Sequence, residues 1–136
     1  MANTKSIGVA FLDQDIIGAD TITSNGVLGF TAAGNSAVTQ ATSKSTGVTL
    51  NKPAGQITMN NASLATSTAA SFTLTNSYIG AKDNVIMTFA SGATAAGYNY
   101  WISSVAAGSC VMTIRNISGG SLSEAIVINY AVIKSA

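Results

Sequence analysis

Ser71-Phe72-Thr73-Leu74-Thr75 sets the rule by which the rest of the chain reads. Its apolar side chains alternate with hydroxyls at the two-residue period of a strand that buries one face and wets the other. Working outward, the same alternation recurs at Val48 and Leu50, at Ile57 and Met59, and at Val85, Met87 and Phe89. It returns at Tyr98, Tyr100 and Ile102, at Cys110, Met112 and Ile114, and last at Ile126, Ile128, Tyr130 and Val132. β-Branched and aromatic residues dominate these runs, and Gly or Asn stands between nearly every pair. Seven or eight short strands at this spacing predict an all-β chain: an antiparallel β-sandwich of jelly-roll type, or else a barrel.

The connections agree. Lys52-Pro53-Ala54-Gly55 is a turn, Ala107-Gly108 is short enough for a hairpin loop, and Ser118-Gly119-Gly120-Ser121 supplies the next reversal. Ala-Ala-Gly recurs at 32–34, 95–97 and 106–108 as turn punctuation, with no longer repeat around it. The best helical candidate, residues 61–70, is rich in Ser and Thr and lacks an apolar stripe, which predicts a loop with at most one helical turn. Residues 125–133 are apolar on both faces apart from Asn129. A strand at the edge of a sandwich shows one polar face, so this one either lies centrally beneath other structure or, the reading preferred here, meets a neighbouring subunit with its outer face. Residues 1–37 read as a separate N-terminal arm with two β-like patches, 7–12 and 27–30, followed by the break Gly34-Asn35-Ser36. The sandwich domain is expected over residues 38–136.

Composition narrows the function. Only 8% of the 136 residues are charged, against roughly 25% in an ordinary soluble domain. Six scattered Lys and Arg do not make a phosphate-neutralising surface, so no nucleic-acid partner is expected. Although 47% of the residues are hydrophobic, no apolar run approaches the ~20 residues of a spanning helix, and no membrane partner is expected. The N-terminus carries one lysine and a short apolar stretch, Ile7 to Leu12, with no clear cleavage site, so no secretory signal is expected. The lone Cys110 excludes an intramolecular disulfide framework, fits a reducing cytoplasm, and lies in an apolar run that predicts a buried thiol. The arm carries Asp13, Asp15 and Asp20 against Lys5, a net −2, and the remainder carries +3. A neutral surface of Ser, Thr, Asn, Gly and Ala offers little repulsion between copies and suits a subunit that works assembled.

Reagents for chemistry are scarce. With no His, no catalytic triad can form. Asp13 and Asp15 supply too few oxygens for a calcium cage and read as solvated acids. Asp83 and Glu124 each precede a strand and read as charges on solvated turns rather than as the facing pair of a glycosidase. Asn61-Ala62-Ser63 and Asn116-Ile117-Ser118 match the glycosylation triplet, which carries no weight without secretion. No enzyme activity, cofactor or metal is expected. Tyr98, Tyr100 and Trp101 form the one aromatic cluster, readable as core, as an interface anchor or as a sugar-stacking surface.

Three stretches carry a resemblance. They are Val38-Thr39-Gln40-Ala41-Thr42-Ser43-Lys44-Ser45-Thr46-Gly47-Val48-Thr49-Leu50 with Gly55-Gln56-Ile57-Thr58-Met59-Asn60, then Ser71-Phe72-Thr73-Leu74-Thr75-Asn76-Ser77, and last Arg115-Asn116-Ile117-Ser118-Gly119-Gly120-Ser121-Leu122-Ser123-Glu124-Ala125. Over residues 38–136 the chain resembles small virion proteins of tailed bacteriophages, of the capsid decoration (cement) or head-fibre type. The resemblance implies a β-rich structural protein, usually a homotrimer. It would be made in the host cytoplasm and bound to the major capsid protein on the outer surface of the phage head. Similar modules on tail fibres leave a receptor-binding (adhesin) module as the alternative. On this reading Lys5, Ile7, Val9, Phe11, Ile16 and Ile17 are the expected capsid contacts of the arm. Tyr100, Trp101, Val127, Ala131 and Ile133 are the expected subunit interface.

Overall fold

The computed structural model describes residues 29, 30 and 32–135. One 3-10 turn, Ala32–Gly34, precedes eight strands: β1 (Ala37–Thr39), β2 (Val48–Thr49), β3 (Ala54–Thr58), β4 (Ala69–Thr75), β5 (Asn84–Ser91), β6 (Tyr98–Ala106), β7 (Ser109–Asn116) and β8 (Val127–Ile133). They form two four-stranded sheets, ordered β1-β3-β8-β5 and β2-β4-β7-β6. The chain changes sheet at every connection except the β6–β7 hairpin. The expected all-β fold is present, with one correction. The sheets are mixed, because β1 pairs with β3 and β2 pairs with β4 in parallel. In each case the chain visits the opposite sheet before returning, so a crossover rather than a hairpin sets the strand direction. The other six strands pair antiparallel.

Alternation places the core. In β4, Ala70, Phe72 and Leu74 are buried while Ala69, Ser71, Thr73 and Thr75 are exposed. In β8, Ile128, Tyr130 and Val132 point inward against Cys110, Met112 and Ile114 of β7 in the same apolar cluster. Cys110 is buried as expected, and loss of water pushes its thiol up to about 11. The hairpin of Ala107 and Gly108 needs a left-handed residue, which Gly108 supplies at φ +81°. Residues 61–68 form a loop in which Leu64 bridges to Leu122 and the turn at 66–67 is not helical, and 69 and 70 already belong to β4.

Among the described residues, every charge but that of Arg115 lies in the connections or after the last strand. Sheet β1-β3-β8-β5 has no charged residue on any strand, and the other sheet has only Arg115. Lys44 is nevertheless buried, its ammonium donating to the carbonyls of Asn60 (2.7 Å) and Glu124 (2.6 Å). Burial lowers its pKa, and the Glu124 charge offsets part of that shift. Asparagines end three strands by the same device. The Oδ1 of Asn60, Asn76 and Asn116 accepts the N–H two residues on, which turns the chain.

Asp83 corrects the solvated-turn reading. It is buried, accepting from Lys134 and from the N–H groups of Gly80 and Ser135. The Lys134 hydrogen bond first, then those two N–H groups, lower its carboxyl from 3.8 to about 2. A depressed carboxyl stabilises the fold above its unfolded value and loses that contribution as pH falls through its folded one. The Tm of the native chain is therefore expected to drop between about pH 4 and pH 2. Asp83→Asn is expected to flatten that limb, as followed by circular dichroism at each pH.

Candidate functional site

Three candidate side chains among the described residues, Glu124, Tyr98 and Asp83, are engaged in hydrogen bonds. Glu124 accepts from the Thr94 hydroxyl and from the Tyr98 phenol (2.6 Å), and these bonds hold its carboxyl below the usual range. Burial, with the Glu124 bond second, pushes the Tyr98 phenol upward. Asp83 stands before β5 and Glu124 contacts Thr94 beyond its far end. Eight strand residues separate them by on the order of 25 Å, far beyond the ~5–10 Å of a glycosidase pair. Among the described residues no three His, Cys, Asp or Glu gather as a metal site. A groove at the end of β5, lined by Phe89, Ser91, Thr94 and Tyr98, measures about 280 Å³, at or below the lower end for small-molecule sites. A second groove of about 440 Å³, lined by Ala32, Asn35, Ser36, Ala37 and Gln56, holds no titratable side chain.

The two ends of the sheet order differ. On one, the sheets end in β1 and β2, of three and two residues. On the other they end in β5 and β6, of eight and nine residues, without a charge or a proline on either strand. Phe89 of β5 ties this side together, edge-on to Tyr98 and 4.4 Å from the ring centre of Tyr100. A long uncharged edge exposes unpaired N–H and C=O groups and is a template for a further strand.

The five residues expected at the subunit interface do not form one surface. Val127, Ala131 and Ile133 stand on the outer face of β8, which lies centrally between β3 and β5. There Ile86, Ala131 and Ala54 form one cross-strand row, and Ile86 and Ile133 are about half exposed. Tyr100 points with Tyr98 toward the β5 side and packs on Phe89. Trp101 alternates away from both, onto the outer face of the other sheet beside Thr113. The arm residues Lys5, Ile7, Val9, Phe11, Ile16 and Ile17 lie outside the described residues.

Sequence reading missed Ile86 and the serines that follow Trp101. A β-bulge between Ile102 and Ser104 slips the register by one, so inward positions run 98, 100, 102 and then 105. The signal was in the chain: after Ile102 the next apolar residue, Val105, arrives after three positions instead of two. Compared with known families, curated proteins and solved structures, the chain matches no family model, no curated protein and no solved structure.

Proposed function

We propose that this protein is a structural virion subunit: a decoration (cement) protein that binds the outside of an assembled phage head and stabilises it. It would act as a homotrimer on the major capsid protein. Its two sheets would close as a jelly-roll-like sandwich. The phage assignment rests on the resemblance of residues 38–136. The observation that supports a subunit role is the uncharged outer face of sheet β1-β3-β8-β5, running to the long bare edges of β5 and β6.

A ring of three needs two different patches on each copy, one for each neighbour. Ile86, Val127, Ala131 and Ile133 supply one, and Tyr100 with Phe89 at the open side supplies the other. Trp101 takes no part in this contact. The arm, through Lys5, Ile7, Val9, Phe11, Ile16 and Ile17, would reach the capsid. Three arms on one trimer bind with multivalent strength, so each needs only modest contacts.

Sedimentation of the full chain with and without empty capsids tests this. The native chain is expected to run as a trimer and to pellet with capsids. Ile86→Lys puts an ammonium into the apolar row and is expected to give folded monomers, by circular dichroism, that no longer pellet. Deleting residues 1–20 is expected to keep the trimer and lose the capsid. A native chain that stays monomeric at high concentration and ignores capsids overturns the reading.

A further inference from the structure

The outer face of sheet β2-β4-β7-β6 has a different chemistry. Trp101, Thr113 and Ser71 stand side by side across three strands, and Trp101 is 42% exposed. One flanking row is Asn99, Arg115 and Ala69, and the other is Ser104, Val111 and Thr73. The bulge in β6 adds Ser103, whose hydroxyl bonds Thr113 Oγ1. Thr113 Oγ1 also bonds Ser71 Oγ at 2.8 Å, so three hydroxyls form a chain across the sheet. Thr113, the middle member, is buried, which holds the other two in place. No carboxylate stands on these four strands, and Arg115 is their single charge.

We propose that this face binds a neutral glycan, with the Trp101 indole stacked on a sugar ring and Ser71, Ser103, Ser104 and Asn99 bonding its hydroxyls. A sugar offers a C–H-lined ring face to an aromatic plane and a rim of hydroxyls that both donate and accept, as serine and threonine do. A second copy of the chain would need an apolar core around the aromatic anchor, and here hydroxyls, the Asn99 amide and Arg115 surround Trp101, with Val111 the one larger apolar neighbour. A nucleic acid would need several cations, and Arg115 stands alone. The inference does not depend on the assembly reading, which uses the opposite face and the β5–β6 side.

Trp101 is the only tryptophan of the chain, so its fluorescence reports this face alone. The full chain is titrated with neutral oligosaccharides of glucose, galactose and N-acetylglucosamine, with a sialylated one as the charged arm. The free chain is expected to emit as a water-exposed indole, and at least one neutral sugar is expected to shift the emission to the blue and saturate. Ser103→Val, which keeps the tryptophan, is expected to weaken that binding about tenfold. Trp101→Ala, measured by calorimetry, is expected to abolish it at unchanged Tm. An emission that no neutral sugar alters overturns the proposal, as does a response to the sialylated sugar alone. So does undiminished binding by both variants. A blue emission of the free chain that turns red on dilution also overturns it, because another copy then covers Trp101.

Discussion

Ile128→Ala is expected to destabilise the chain by about 3–5 kcal/mol. Ile128 is wholly buried near the start of β8, an inner strand of its sheet, paired with Ile57 of β3 on one side and Phe89 of β5 on the other. Its side chain therefore meets the core at the centre of a sheet, where neighbouring strands cannot close over the space left behind. The lost apolar transfer and the residual cavity add. For a domain of this size the loss corresponds to a Tm decrease of roughly 12–25 °C. Ile133→Ala, five residues along the same strand, makes the contrast. Ile133 is 51% exposed on the opposite face, and its truncation is expected to cost under about 1 kcal/mol in the isolated chain. Thermal denaturation of both variants measures the face assignment of β8. Equal losses would mean that the register is shifted by one, since one slip exchanges the two faces.

That contrast shows what periodicity can and cannot read. Alternation named the inward residues of β8, β7 and β4 correctly because a buried face imposes apolar side chains at every second position. It did not reveal β1, which has three residues and Val38 as its one large apolar side chain. It also did not reveal the parallel pairing of β1 with β3 and of β2 with β4, since alternation fixes a face and says nothing about the partner or its direction. The crossovers that set that direction pass through residues 40–47 and 59–68, whose order comes from polar contacts. Gln40 holds the carbonyls of Lys44 and Thr46, and Lys44 holds those of Asn60 and Glu124. Such contacts join residues 80 positions apart and leave no local pattern.

The site was less legible than the fold. The aromatic cluster at 98–101 was visible as composition, and strand alternation alone separates Trp101 from its two tyrosines. The division of the expected interface among three places follows from which strands neighbour β8 and β6, which only the sheet order gives. Asp83 was misread because its partner Lys134 lies 51 positions away, at the far end of the chain.

Asn116→Ala is expected to cost about 2–4 kcal/mol, although sequence alone marks Asn116 only as a glycosylation triplet. Asn116 is wholly buried and uses all of its side-chain bonding capacity. Its Nδ2 donates to the carbonyls of Leu64 and Gly120, both at 2.8 Å, and its Oδ1 accepts from the N–H and the hydroxyl of Ser118. These bonds pin the crossover from β7 to β8 against the loop that leads into β4. In the alanine variant the Leu64 carbonyl keeps the Leu122 N–H and the Gly120 carbonyl keeps the Ser118 hydroxyl. The Ser118 N–H loses its only partner, and the volume of an amide is left empty. Asn61, in the other triplet, is exposed. Asn61→Ala is expected to fall within about 0.5 kcal/mol of the native chain. Asn116→Asp separates bonding from volume, because it keeps the shape and turns two donors into acceptors facing two carbonyls. Its buried carboxyl has a raised pKa, so the variant is expected to gain stability as pH falls from 7 toward 4 and the acid becomes a donor again. The native chain loses its Asp83 contribution only below that range. Urea titrations of the three variants at pH 7 and pH 4.5 measure both effects, and a nearly neutral Asn116→Ala would show that the crossover is held by its backbone alone.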